Sequence, residues 1–218
     1  PVARAPGRRA RRHLRAAVGQ RRVKVIETSR LSLRLISLSD LENIHRLLYA
    51  DHEVAVPWIG HVVSLAGVSS PNGLLSQIAR EADEPGLLAV ERAADYALIG
   101  VAGIRALRRA SDRERFEPRS PQDAIGAVEG RVEGELVVAL GRAHWNRGYG
   151  AEAAGAVISL GINSLRCTRI VASVGPANDR GLKLLRRLGF RVEPNQRADP
   201  DSGSSLPGVI GFLDAATR

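Results

Sequence analysis

The chain of 218 residues has a single cysteine, Cys167, and no methionine. One thiol cannot close an internal disulfide, and it fits a reducing compartment. Aromatic residues make up 4% of the chain, and none lies in the first 26 residues. That segment also has no Asp or Glu. No apolar run reaches the roughly 20 residues that a membrane-spanning helix needs. The start of the chain has no apolar core segment, so nothing there resembles a secretory signal. The chain opens on Pro1, which is consistent with processing or trimming. These shortages together lead us to expect a cytoplasmic protein with no membrane contact.

What is present divides into two parts. The formal charge is +9, and residues 1–26 supply all of it through eight Arg and Lys24. From Glu27 onward the charges balance, so the pI near 11.0 describes a tail rather than a basic domain. We read residues 1–26 as a basic, flexible tail and residues 27–218 as one domain. The tail admits three readings: a solvated segment that cannot bury a core, a polyanion contact driven by counterion release, or an organelle transit peptide. Its lack of aromatics argues against sequence-specific stacking on RNA bases. Beyond it, an apolar fraction of 44% is enough for a proper core.

The stretch from His144 to Ala153 organises the domain. Before it, Leu136, Val137, Val138, Ala139 and Leu140 form an apolar run that reads as a buried strand. After it, Ala154, Val157, Ile158, Gly161, Ile162 and Leu165 recur at helical spacing. The pattern predicts a strand, a glycine-containing turn and a helix N-terminus. The first amides of a helix have no intrahelical partner and sit at the positive end of its dipole, which suits an anion. Gly148 and Gly150 leave room for a phosphate to approach the backbone. Glu152, in the first turn, is favourable for the dipole. In isolation the same residues also describe an ordinary strand-to-helix turn.

Trp145-Asn146-Arg147-Gly148-Tyr149-Gly150 resembles the acetyl-CoA pyrophosphate loop of GCN5-related N-acetyltransferases, usually Gln/Arg-x-x-Gly-x-Gly/Ala. Trp145 departs from the first position. An aromatic there is common in the branch resembling ribosomal-protein N-terminal acetyltransferases. A second stretch, from Asn178 through Gly181 and Leu185 to Gly189-Phe190, resembles the family's next helix, Asn-x-x-Ser/Ala-x-x-x-Leu/Tyr-x-x-x-Gly-Phe. The opening Thr28-x-Arg30-Leu31-x-Leu33-Arg34 and the segment Ile99-Gly100-x-x-Gly103 fit as well. The resemblance covers residues 27–190 and, more loosely, continues to 213. It implies an α/β (α+β) fold with a central mixed, mostly antiparallel twisted sheet and helices on both faces.

Pattern and resemblance together place the remaining elements. Residues 27–36 alternate apolar and polar and read as the first strand. Ser39-Asp40 caps a helix through Ala50, with Leu41, Ile44, Leu47 and Leu48 inward. His45 and His52 read as surface or groove histidines rather than catalytic ones. Residues 51–70 read as irregular, with Trp58 and His61 either packed or contacting substrate. A second helix runs over 71–82. Residues 87–91 and 96–104 form a hairpin whose internal glycines suggest a bulge or close backbone approach. Residues 108–134 read as an insertion, either a flap or disordered. Residues 168–174 form the next strand. Cys167 at its start reads as a structural thiol. Asn178 reads as an N-cap and Gly189 as the residue past the helix end. Lys183, Arg186 and Arg187 either meet the adenosine phosphate of CoA or are solvated. Two closing strands fall at 190–193 and 206–213, around a polar loop over 196–205.

The resemblance implies transfer of an acetyl group from the cosubstrate acetyl-CoA to a primary amine by direct attack, with no metal. It assigns the pyrophosphate to the backbone of Asn146, Arg147, Gly148, Tyr149, Gly150 and Ala151. It assigns thioester polarisation to an amide of the strand ending at Leu140, and a pantetheine or water contact to Asn178. Glu135 is the candidate general base, with Glu133 beside it. Relatives often place a Tyr at the position of Leu185 or a Ser at that of Gly181 as general acid, and both hydroxyls are absent here. The rival expectation is a non-catalytic CoA-binding or scaffold domain that docks through its basic tail. The acceptor is either a protein N-terminus or a small amine, and the chain either a monomer or a homodimer.

Overall fold

The computed structural model describes residues 26–59, 62–68, 86–107, 132–175, 178–194 and 208–217. Most of the basic tail, His61, the 71–82 helix, nearly all of the 108–134 insertion and the 196–205 loop lie outside the described residues.

Eight strands form one sheet. They are β1 (Ile26–Glu27), β2 (Leu31–Leu35), β3 (Leu87–Arg92), β4 (Ala97–Leu107), β5 (Glu133–Leu140), β6 (Arg169–Val174), β7 (Arg191–Pro194) and β8 (Val209–Asp214). Their spatial order is β1-β2-β3-β4-β5-β6-β8-β7. Every pairing is antiparallel except β5 with β6. The described α-helices are α1 (Leu41–Ile44), α2 (His52–Ile59), α3 (Leu65–Val68), α4 (Tyr149–Asn163) and α5 (Asp179–Arg187).

Helices cover both faces, because the strands alternate the side on which they present apolar residues. On one face, Leu31, Leu33, Leu88, Val90 and Ile170 pack with Ala153, Ala154, Val157 and Ile158 of α4 and Leu185 of α5. On the other, Ala89, Val101 and Ala139 pack with Ile44 and Leu48 around α1 and Val54 of α2.

Three local readings are corrected. The first strand is broken into β1 and β2, because residues 28–30 turn aside to meet Glu152. The first helical segment begins earlier, at Ser37. Asp40 accepts from both the Ser37 amide and its hydroxyl at 2.7 Å, so Asp40 is the reciprocal partner of a cap rather than the cap itself. That segment passes from a 3₁₀ turn (Leu38–Asp40) through α1 into a π turn (His45–Tyr49). The third correction concerns residues 51–70, which contain α2 and α3 rather than being irregular. Pro57 lies inside α2 and broke its helical signal.

The hairpin forms as expected, with a register shift at Val90/Glu91 that leaves Ile99 as an extra residue on β4. The adjacent Gly100 is required: a Cβ there would fall 2.2 Å from the Ala139 carbonyl oxygen. The Ile99 carbonyl accepts from the Gly141 amide at 2.9 Å, which ties the end of β5 to the bulge.

Candidate active site

Strand β5 is paired with β6 only at Glu133↔Arg169, Gly134↔Ile170 and Glu135↔Val171. Both strands continue beyond that point. Residues 136–140 stay paired with β4, and residues 172–174 with β8. The two neighbours therefore splay apart, and among the described residues no strand lies beside one edge of β5 from Leu136 to Leu140. Unpaired backbone groups on such an edge can bond a ligand amide in the manner of an added strand.

A cleft of about 360 Å³ opens at this splay. Its floor includes Val138, Ala139 and Leu140. One wall carries Trp145, Gly148, Gly150 and the α5 residues Arg180 and Lys183, and the other carries Glu53, Pro57 and Trp58 of α2. The sequence-assigned residues Leu140, Asn146, Gly148, Gly150, Ala151 and Asn178 all line it. Arg147 and Tyr149 belong to the same loop but are not among its lining residues.

The loop's shape follows from two left-handed residues, Asn146 (φ 58°) and Gly148 (φ 82°). Gly148 is the N-cap of α4 and offers no side chain to the helix amides, which stay available. Trp145 anchors the loop to the strand, since its indole Nε1 donates to the Leu140 carbonyl at 2.8 Å. Arg180 lies over the Trp145 ring at 4.3 Å, which joins α5 to the loop. At the start of α5, Asn178 Oδ1 accepts from the Gly181 amide at 2.8 Å. A Cβ at Gly181 would meet the Asn178 side chain at 3.0 Å, so the absent side chain and the folded-back asparagine go together.

Behind the loop, Glu152 accepts from Thr28 Oγ1 (2.7 Å), Ser29 Oγ (3.0 Å), the Arg30 amide (2.8 Å) and Arg30 Nε (2.7 Å). Burial works against its charge, but the bonds from Thr28 and Arg30 outweigh it and hold the carboxyl down at about 2. Arg30 Nη1 also donates to the Arg147 carbonyl at 2.9 Å, and its guanidinium lies 4.7 Å from the centre of the Tyr149 ring.

Glu135 is placed differently from the assigned lining residues. It is buried on β5, its Oε2 accepts from Arg105 Nε at 2.9 Å, and it is not among the residues lining the cleft. Its neighbour Glu133 lies 3.9 Å from Arg169. Leu185 is 3% exposed in the core. The buried Cys167 thiol is pushed up by burial, as a structural thiol should be. His45 bonds the Val63 carbonyl at 2.8 Å, away from the cleft.

Two cleft residues were not singled out from the sequence. Glu53 is exposed on α2, and among the described residues no partner engages its carboxylate. His144 follows β5 in a 3₁₀ turn (Arg142–His144), and among the described residues its buried Nδ1 has no hydrogen-bond partner. Burial lowers its pKa, with Arg92 and Arg147 adding to the effect, which favours the neutral ring. Recognising α2 as a helix would have brought Glu53 onto the same element as Trp58. His144 has no comparable signal in sequence. Among the described residues, no group of three or more His, Cys, Asp or Glu side chains could hold a metal ion.

A model of the acetyltransferase (GNAT) domain family matches residues 30–191. The chain belongs to this family. An uncharacterized N-acetyltransferase p20 of Bacillus licheniformis is 42% identical over 69 residues, which are 32% of this chain and 38% of that protein. The chain spans less than half the length of the curated relatives it matches. Among solved structures, a spermidine N-acetyltransferase from Vibrio cholerae in complex with CoA and spermine aligns at TM-score 0.62 and 16% identity. That alignment covers 87% of this chain and 98% of that one. A ribosomal-protein-S5-alanine acetyltransferase from Vibrio fischeri aligns at TM-score 0.60 and 16% identity, over 88% of this chain and 96% of that one. At these identities the structural matches establish the GNAT fold.

Proposed function

We propose that this GNAT domain transfers an acetyl group from acetyl-CoA to a primary amine, on a protein N-terminus or a small molecule. The observation that carries this reading is the end of β5–β6 pairing at Glu135/Val171, where the splay opens toward the Gly148 loop. In this reading the exposed edge of residues 136–140 pairs with the pantetheine arm. The loop amides between Asn146 and Ala151 hold the pyrophosphate. Arg180, Lys183 and Arg187, all lining the cleft, complement its phosphates. Asn178 takes the pantetheine or a water. The amine nitrogen attacks the thioester carbon, the carbon–sulfur bond breaks and CoA leaves as thiolate. Alignment of the two reactants supplies most of the acceleration.

The attacking amine must be neutral, so a proton leaves it before or during attack. The sequence names Glu135 for this task. Its carboxylate is engaged by Arg105 and does not line the cleft. We therefore assign proton removal, directly or through water, to the cleft-lining Glu53 or His144. The Glu53 carboxylate also suits a cationic amine. Glu135→Gln should then keep most activity, and either Glu53→Gln or His144→Asn should lose it, in an assay of CoA thiol release over a panel of polyamines and N-terminal peptides.

The direct test of cosubstrate binding is thermal unfolding with and without acetyl-CoA, repeated on Gly148→Glu. Ligand at about a hundred times its Kd adds roughly 2.7 kcal/mol. At about 2–4 °C per kcal/mol the shift is readily measured. A shift in the wild type that vanishes in the variant supports the reading, and no shift in the wild type sinks it. The second reading is a domain that binds CoA without acetylating. It is favoured by the side-chain-free Gly181 and the core position of Leu185, where relatives carry hydroxyls. It predicts the same thermal shift with no thiol release on any amine.

A further inference from the structure

The contact between residues 28–30 and Glu152 lies outside the cleft, and the acetyl-transfer reading gives it no role. We propose that Arg30 and Glu152 form a positioning pair that sets the phosphate loop for acetyl-CoA. The inference rests on the proposed acetyl-CoA binding.

The loop contains two left-handed residues within three positions, Asn146 and Gly148. Such a backbone persists only where its surroundings over-determine it. Arg30 supplies that constraint from three directions. Nη1 donates to the Arg147 carbonyl, Nε and the amide donate to Glu152 in the first turn of α4, and the guanidinium stacks by Tyr149. The Arg147 carbonyl and the Gly148 amide belong to one peptide unit. In a trans peptide the C=O and N–H point in opposite directions. Drawing the carbonyl toward Arg30 therefore aims the Gly148 N–H away from it. Gly148 lines the cleft and Arg30 does not.

The pair also solves a charge problem. A carboxylate in the first turn favours the empty helix but repels an incoming pyrophosphate. Arg30 neutralises Glu152 through direct contact at 2.6 Å, and Thr28 and Ser29 occupy the same carboxylate. The loop is thus offered to the anion with its nearest acid already paired. Arg30 acts through Glu152 and the Arg147 carbonyl rather than by touching the ligand.

The test is CoA affinity by titration calorimetry at a temperature well below unfolding, on the full chain. The variants are Glu152→Gln, Arg30→Ala, Arg30→Lys and the double Arg30→Ala/Glu152→Ala. Asp40→Asn is the comparison, because it breaks a similar Arg–carboxylate contact remote from the loop. Coupling of a positioning contact to a binding site typically changes an equilibrium affinity by about 5- to 150-fold. We expect Glu152→Gln and Arg30→Ala to raise the Kd by about 10- to 100-fold, Arg30→Lys to rise less, and Asp40→Asn to keep the wild-type value. The double variant should bind no more weakly than Arg30→Ala alone, because removing Glu152 also removes the unpaired charge. If Arg30→Ala does not fold, Glu152→Gln and Arg30→Lys decide. Wild-type affinity in Glu152→Gln overturns the inference, and so does an equal loss in Asp40→Asn, which would reduce the effect to general stability. Failure of the wild type to bind CoA overturns the acetyl-CoA reading and this inference with it.

Discussion

The α4–α5 wall of the cleft is held by charge and hydrogen bonds, and the α2 wall by packing. On the first, Glu152 collects Thr28, Ser29 and Arg30, Asn178 caps Gly181, and Trp145 is bonded to Leu140 and covered by Arg180. On the second, Trp58 rests against Tyr49 with ring centroids 5.3 Å apart, Val54 is buried, and the Glu53 carboxylate is engaged by none of the described residues. The contrast suits two kinds of ligand. A polyanion of fixed shape needs donors held in place before it arrives, whereas a groove with an unpaired carboxylate can receive different amines. Burial pushes the Tyr49 hydroxyl up to about 12, so this part of the second wall stays neutral.

Truncating Trp58 should separate the walls most sharply. Trp58→Ala removes the ring that packs on Tyr49 and should cost about 2–4 kcal/mol, read by urea unfolding. CoA affinity should stay within a factor of about three. A larger loss of CoA affinity would show that the walls are coupled and break the comparison.

Acid should act on the first wall at Glu152 and, away from the cleft, at Asp40, through similar contacts. Asp40 and Glu152 each have the carboxyl lowered to about 2, from 3.8 and 4.5. For Asp40 the main cause is the hydrogen bond from Arg34; for Glu152 the bonds overcome burial. Because the folded values are depressed, this stabilisation is present above the unfolded values and lost as pH falls from about 4.5 toward 2. Each carboxylate should contribute about 1–2 kcal/mol after screening. Glu152→Gln and Asp40→Asn should each flatten the pH dependence of stability in that window. If Glu152→Gln leaves the profile unchanged, the first wall is not held by charge.

Asn178→Ala comes next in size. Losing the cap bond to Gly181 should cost about 1 kcal/mol of stability. CoA affinity should fall with it, because Asn178 also lines the cleft. Loss of stability with unchanged affinity would make Asn178 a cap alone.

The first wall was far more legible in sequence than the second, for a physical reason. Turns that hold phosphates require particular backbones, so Gly148, Asn178 and Gly189 carry their structural role in their identity. The long apolar period of α4 and the run before it are equally direct. A wall made by packing leaves a weaker trace. Pro57 masked the periodicity of α2, and with it the link between Glu53 and Trp58. The break between β1 and β2 was hidden because Thr28 and Arg30 continue a strand-like alternation while their side chains answer to Glu152, more than 120 positions away. Glu135 shows the opposite case. It was named as the candidate base, but only the fold reveals that Arg105 pairs with it.

The smallest expected effect tests whether charge on the first wall serves the ligand or only the fold. Arg180 lies over the Trp145 ring and lines the cleft. It is exposed, so the ring contact should be worth only about 0.5–1 kcal/mol. Arg180→Ala should therefore barely shift unfolding. If the cation also meets CoA phosphates, the variant should weaken CoA binding more than it weakens the fold, and the salt dependence of the affinity should become shallower. Unchanged affinity with an unchanged salt slope would confine Arg180 to holding Trp145. The electrostatics of the wall would then rest on Lys183, Arg187 and the loop amides.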